Sequence, residues 1–161
     1  MATPTSLPAA VSTGDVGTAA QFNNLRGAFR ILQVVSSRTT TQVGSTSATY
    51  GDIGLSATIT PQSTSSKILV LLAQNCYSDG AATGVGIQIL RGATVLTTSV
   101  ALSFGQSSGI VTQNFLPYYD SPSSTSALTY KVQMSRTSGA GIAYTQINAN
   151  PSDLFLLEVS A

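Results

Sequence analysis

Gly84-Val-Gly-Ile-Gln-Ile-Leu-Arg-Gly-Ala-Thr-Val-Leu96 carries the choice between helix and sheet for this chain. Its β-branched residues fall into two short runs hinged at Arg91-Gly92-Ala93, the pattern of a hairpin. Downstream, Tyr130, Val132 and Met134 alternate with Lys131, Gln133 and Ser135, as in a sheet wet on one face. Upstream, Ile68 to Ala73 is apolar throughout. That run predicts a central strand covered on both faces, with a neighbouring subunit as one candidate cover. Similar runs recur along the chain, and they predict strands over 30–38, 49–60, 67–77, 85–91, 94–101, 110–118, 128–136, 143–148 and 154–159. Short strands without helical crossovers imply an all-β chain, an antiparallel, jelly-roll-like β-sandwich of about 8–9 strands. Two turns echo each other: Pro61-Gln-Ser-Thr-Ser precedes Lys67-Ile-Leu-Val, and Pro122-Ser-Ser-Thr-Ser precedes Leu128-Thr-Tyr-Lys-Val. The echo has two readings, shared turn composition or equivalent corners of two Greek keys.

The sandwich is expected to occupy residues 30–161, with residues 1–29 as a lead-in serving assembly or anchoring. Pro4 and Pro8 stand among small and polar residues, so residues 1–17 read as an extended arm without a core of its own. Such an arm is expected to lie against its own sandwich or a neighbour. Thr18-Ala-Ala-Gln21 then has capping-box spacing, in which hydroxyl and amide side chains satisfy each other's orphan backbone amides. Phe22 and Leu25 share one face of the short helix this predicts, and Gly27 is placed to end it. Two turns of helix are marginal alone and need something to dock on. Pro4, Pro8, Phe22, Leu25 and Phe29 are therefore the candidate partner-binding residues.

At 161 residues the chain is long enough to bury most of its apolar surface in one domain. Only 8% of it is charged, where roughly a quarter is usual, and the net charge is +1. That leaves no electrostatic footprint for nucleic acid or an anionic membrane. The polar surface is made instead of 44 Ser and Thr residues, in a chain too apolar for disorder. The start of the sequence has neither the basic nor the apolar region of a secretory signal, and no uncharged apolar stretch approaches the length of a spanning helix. Cys76, the single cysteine, excludes an intrachain disulfide and reads as a buried thiol.

Reactive chemistry finds little to work with. Histidine is absent, which removes the commonest general base and the usual partner of a Ser or Cys nucleophile. It also argues, with the lack of a cysteine pair, against a metal site of the zinc kind. Lys67 and Lys131 sit at strand starts or outward positions, unsuited to Ser-Lys catalysis. The acids Asp52, Asp79, Asp120, Asp153 and Glu158 lack the spacing of a calcium loop, and Asp79, Asp120 and Asp153 stand in turn contexts where Asp bonds its own backbone. Gly84-Val-Gly is not followed by the further glycine and helix of a dinucleotide site. No catalytic residue, cofactor or metal is expected. Tyr118-Tyr119, beside Asp120, is the candidate platform for stacking a sugar. The alternative for it is a strand end with one ring inside and one at the rim.

One resemblance is carried by Ile31-Leu-Gln-Val-Val, Asp52-Ile-Gly-Leu-Ser-Ala-Thr-Ile-Thr-Pro61, Ser63-Thr-Ser-Ser-Lys-Ile-Leu-Val, Asp120-Ser-Pro with Thr129-Tyr-Lys-Val, and Leu154-Phe-Leu-Leu-Glu-Val. With the lead-in Gly17-Thr-Ala-Ala-Gln-Phe-Asn-Asn-Leu-Arg26, this block resembles a module of tailed-bacteriophage virion structural proteins. The resemblance implies a jelly-roll-like sandwich, usually trimeric, in capsid decoration or cement proteins and tail-fibre tips. A fibre protein carries a long shaft ahead of the module, whereas about 29 residues precede it here. The expectation is therefore a homotrimeric decoration protein. It would be made in the host cytoplasm, located on the virion, and partnered by itself and the major capsid protein. The alternative is a tail-fibre or head-fibre tip that binds a host receptor or glycan through loops 78–84, 102–109 and 137–142.

Overall fold

Successive side chains of a pleated strand point to opposite faces, so an apolar residue at every second position builds one buried surface per sheet. The computed structural model describes Gly14, residues 30–100 and residues 109–160. Apart from Gly14, the arm of residues 1–17, the helix expected after it and most of the 102–109 loop lie outside the described residues. Ten strands run in order: β1 Ile31–Thr39, β2 Val43–Ser45, β3 Gly51–Ile59, β4 Lys67–Ser78, β5 Gly84–Arg91, β6 Thr94–Ser99, β7 Ile110–Asp120, β8 Leu128–Ser138, β9 Ala143–Thr145 and β10 Ser152–Val159.

Eight of these strands pair from the ends of the described chain inward: β1 with β10, β3 with β8, β4 with β7, and β5 with β6, all antiparallel. Such nesting is one long hairpin folded back across itself. Folding puts β1-β10-β4-β7 in a first sheet and β3-β8-β5-β6 in a second, the jelly-roll arrangement. The short β2 and β9 extend the first sheet to six strands, with β9 laid along Cys76–Ser78 of β4. The hairpin of β5 and β6 turns at Gly92, whose φ of 58° suits a residue without a Cβ. The two Pro-led turns lie side by side at one end of the sandwich, because Ile59 pairs with Leu128 and Ile68 with Asp120. Each turn carries the chain from one sheet to the other.

The inner faces supply a single core. Ile53, Leu55 and Ile59 of β3, Ile68, Val70 and Leu72 of β4, Ile87 and Ile89 of β5, Tyr130, Val132 and Met134 of β8, and Leu154 and Leu156 of β10 are all buried in it. Each such aliphatic side chain stabilises the fold by about 1.5–3 kcal/mol relative to exposure.

One expectation is corrected, and one strand was not foreseen. The strand expected over 143–148 stops at Thr145, because Gln146, Asn148 and Ala149 take φ of 56°, 54° and 57° and a left-handed backbone cannot continue a ladder. Asn75 Oδ1 accepts the Ile147 amide at 3.1 Å and Gln146 Nε2 donates to Ser152 Oγ at 2.7 Å, holding the resulting 3-10 turn in place. β2 was not expected, since three residues are too few to display a period. β4 is central, between β10 and β7, as expected, and the described chain encloses one of its faces more fully than the other. Ile68, Val70 and Leu72 are enclosed, whereas Leu69, Leu71 and Ala73 on the other face are half-buried.

Candidate assembly surface

Five of the six acidic residues are described, and each holds strands or turns together. Asp52 on β3 accepts from Lys131 Nζ at 3.1 Å and from Gln133 Nε2 at 2.9 Å across to β8. Asp79 accepts the Ile142 amide. Asp153 accepts Arg38 Nε at 2.6 Å and Nη2 at 3.1 Å from the neighbouring strand. Asp120 Oδ2 takes Arg91 Nη1 and the Tyr130 hydroxyl, each at 2.6 Å, while Oδ1 caps the Ser121 amide at 2.8 Å. Burial pushes the Tyr130 hydroxyl pKa upward and the Asp120 bond adds to the rise, so Tyr130 stays a donor.

Glu158 has no exposed surface. It accepts Gln33 Nε2 at 2.6 Å and the Gln62 amide at 2.7 Å. Burial raises its pKa, but the polar groups of Ser66, Gln33, Gln62 and Ser63 outweigh that and hold the carboxyl below its ordinary value. Glu158 thereby ties β1 to the turn after β3. The Cys76 thiol is also fully enclosed, and burial pushes its pKa up to about 12, so it carries no thiolate near neutral pH. No group of three or more metal-ligating side chains gathers among the described residues. A shallow depression of about 110 Å³ lies where β3 shifts register against β8, lined by Asp52, Gly54, Leu55, Ser56, Lys131 and Val132.

The sequence-derived candidates fall apart in space. Tyr118 packs inward against the core, while Tyr119 is 56% exposed on the opposite face of β7. The two rings therefore cannot form one stacking platform. Pro4, Pro8, Phe22, Leu25 and Phe29 lie outside the described residues. Loops 78–84 and 137–142 are locked to each other. A Cβ on Gly80 would come within 2.6 Å of Gly141 Cα, and the Gly141 amide donates to Thr83 Oγ1 at 3.0 Å. Ser138 Oγ also donates to the Ala82 carbonyl at 2.9 Å.

What the structure gathers instead is an apolar sheet face. On the outer side of the six-stranded sheet, register places Val34, Leu157, Leu69 and Tyr119 in one row across four strands. The next rows hold Ser36, Phe155, Leu71 and Pro117, then Arg38, Asp153, Ala73 and Phe115. Ile31, Val159 and Lys67 form the row at one end, and Val111 with Tyr77 and Tyr144 extend the face at the other. Phe115 is 63% exposed and Ile31 59%. The only ion pair on the face among the described residues is Arg38–Asp153, which neutralises itself. Sequence reasoning missed most of these residues. The signal was available, since Ile110–Asp120 and Ser152–Val159 carry apolar residues at both odd and even positions.

No protein-family model matches the chain, and no curated protein is similar to it. Among solved structures, T=1 particles derived from infectious bursal virus match at 13% identity with a TM-score of 0.47, over 80% of this chain and 39% of that one. The VP2 subviral particle of infectious bursal disease virus matches at 15% identity and a TM-score of 0.42, over 80% of this chain and 40% of that one. The Gx strain of the same virus matches at 19% identity and a TM-score of 0.40, over 81% and 39%. The chain thus spans about two fifths of the length of each of these chains.

Proposed function

We propose that this chain is a structural, non-enzymatic component of a virus particle. More specifically, it is a decoration or cement protein that assembles as a homotrimer on the capsid of a tailed bacteriophage. The observation that supports this reading best is the largely apolar outer face of the six-stranded sheet, which carries Phe115, Tyr119, Ile31, Val34, Val111 and Phe155 exposed. A permanent interface is apolar and avoids unpaired buried charge, which fits a chain with so few charged residues. The resemblance of residues 30–159 to phage virion modules supports the particle as the setting, and the engagement of each described acid in the scaffold supports a role without catalysis. In this reading residues 1–29 anchor the sandwich to a neighbour or to the shell through Pro4, Pro8, Phe22, Leu25 and Phe29.

Immuno-gold imaging of particles tests it: many copies over the head are expected, and copies confined to the tail tip would overturn the decoration role. Deleting residues 1–17 is expected to abolish incorporation while the sandwich stays folded. Replacing Phe22 and Leu25 with Ser is expected to weaken assembly by about 1.5–3 kcal/mol for each buried side chain lost.

A further inference from the structure

We infer that the outer face of the six-stranded sheet is where one copy of this chain packs against another. The inference rests on the structural-assembly reading and names the partner of that same surface. Its extent is the first argument. Four strands at about 4.8 Å spacing and a long edge of some ten residues at about 3.4 Å each give a sheet face of roughly 650 Å², polar positions included. That is of the order of the roughly 800 Å² per partner of a standard stable interface.

Layout is the second argument. Leu69, Leu71, Phe155 and Leu157 sit on the two inner strands β4 and β10, with Phe115 and Tyr119 on the flanking strand β7, while the Arg38–Asp153 pair closes the block at one end and Lys67 stands in the row at the other. An apolar centre with a polar rim is the anatomy of a protein interface. Distribution is the third. Of the large apolar side chains left exposed among the described residues, Ile31, Val34, Val111, Phe115, Tyr119 and Phe155 lie on this face, and Val95 and Val100 do not.

Charge selects the occupant. The face presents no unbalanced charge at its centre, so a strongly acidic or basic partner gains nothing there. A second copy, with 8% charged residues and a net charge of +1, brings a surface that can cover the face without burying an unpaired ion.

The test is sedimentation of the full chain and of three single variants: Phe115→Lys, Phe155→Lys and, on the other sheet, Val95→Lys. The unaltered chain is expected to be oligomeric at micromolar concentration. Each phenylalanine variant is expected to raise the dissociation constant on the order of 100-fold, with the far-ultraviolet circular dichroism of the strands unchanged. Val95→Lys is expected to behave as the unaltered chain. Should a lysine variant lose its strand signal, Phe115→Ser replaces it, with an expected weakening of about tenfold.

An unaltered chain that is monomeric overturns the inference. So does an oligomer indifferent to both phenylalanine substitutions, the result expected if residues 1–29 of the same chain cover the face. Imaging the same proteins on particles separates the two readings. A face-dependent oligomer that never joins a particle overturns the virion role and leaves this interface standing; a monomer that decorates particles does the reverse.

Discussion

Replacing Glu158 with Gln tests whether a buried carboxylate fastens β1 to the turn that follows β3. The carboxylate is fully enclosed and receives two donors, Gln33 Nε2 at 2.6 Å and the Gln62 amide at 2.7 Å. Gln33 Nε2 also donates to the Thr60 carbonyl at 2.7 Å, so its position is fixed from two sides. A glutamine keeps the shape but offers one oxygen, and its NH₂ then confronts a donor that cannot turn away. One charge-assisted bond is lost and one buried donor is left unpaired, which together cost about 2–4 kcal/mol. With a urea m-value of about 2 kcal/mol/M, the unfolding midpoint falls by about 1–2 M at fixed protein concentration.

The pH dependence follows from the depressed pKa. Above the unfolded value, near the ordinary 4.5, the carboxylate's contribution is complete. As pH falls through the lowered folded value, protonation removes it, and wild type and Glu158→Gln converge. Equal midpoints for the two proteins near neutral pH would refute the reasoning. So would a difference that stays constant from about pH 7 to about pH 3.

Other perturbations probe separate contacts. Asp120→Ala strands both Arg91 and the enclosed Tyr130 hydroxyl and is expected to cost about 3–5 kcal/mol, against about 1–2 kcal/mol for Tyr130→Phe. A double-mutant cycle in urea should show the two effects to be strongly non-additive. Gly80→Ala places a methyl within 2.6 Å of Gly141 Cα, so it is expected to destabilise by about 2 kcal/mol or more. The same change should speed amide exchange in residues 79–83 and 139–142. Leu72, fully buried at the centre of β4, is expected to cost about 2–5 kcal/mol on truncation to Ala, read from the same urea midpoints. The Cys76 thiol is expected to resist a thiol reagent near neutral pH until the protein is denatured, as followed by absorbance.

The strands were legible because their cues are local. The Gly84–Leu96 hairpin and the alternation at Tyr130–Ser135 each declare themselves within a few residues, and both lie where they were expected. Nested pairing was not legible, since β1 meets β10 across more than a hundred residues and no local pattern encodes the partner. Sequence context placed Asp120 in a turn; it is the last residue of β7, and its carboxylate caps the Ser121 amide. It could not show that the same carboxylate reaches Arg91 and Tyr130, which topology alone brings near. Gln146, Asn148 and Ala149 defeated the strand expected over 143–148, because a left-handed turn of ordinary residues is held by tertiary bonds to Asn75 and Ser152. For the outer face, apolar residues on both sides of β7 and β10 do not by themselves say which side is core; the sheet order shows that one side opens outward.

The contrast between the two sheets turns this open side into an argument about orientation. The four-stranded sheet finishes its outer face with Asp52, Ser56, Thr58, Thr129, Lys131 and Gln133, linked by the Thr58–Thr129 hydroxyl contact at 2.8 Å and the Asp52–Lys131 pair. That is the surface of a sheet that stays in water. The six-stranded sheet uses the same alternation inward and then places Leu, Phe, Val and Tyr outward as well. Nothing in strand formation requires this, since Ser or Thr at 69, 71, 115 and 155 would keep the pleat and the core. Each such side chain raises the free energy of the isolated molecule in water relative to a hydroxylated one, and the burden is repeated over four adjacent strands. A sandwich with one polar and one largely apolar outer face has a direction. If the apolar face is the contact between copies proposed above, covering it adds the burial of these side chains to the stability that folding of the single chain provides.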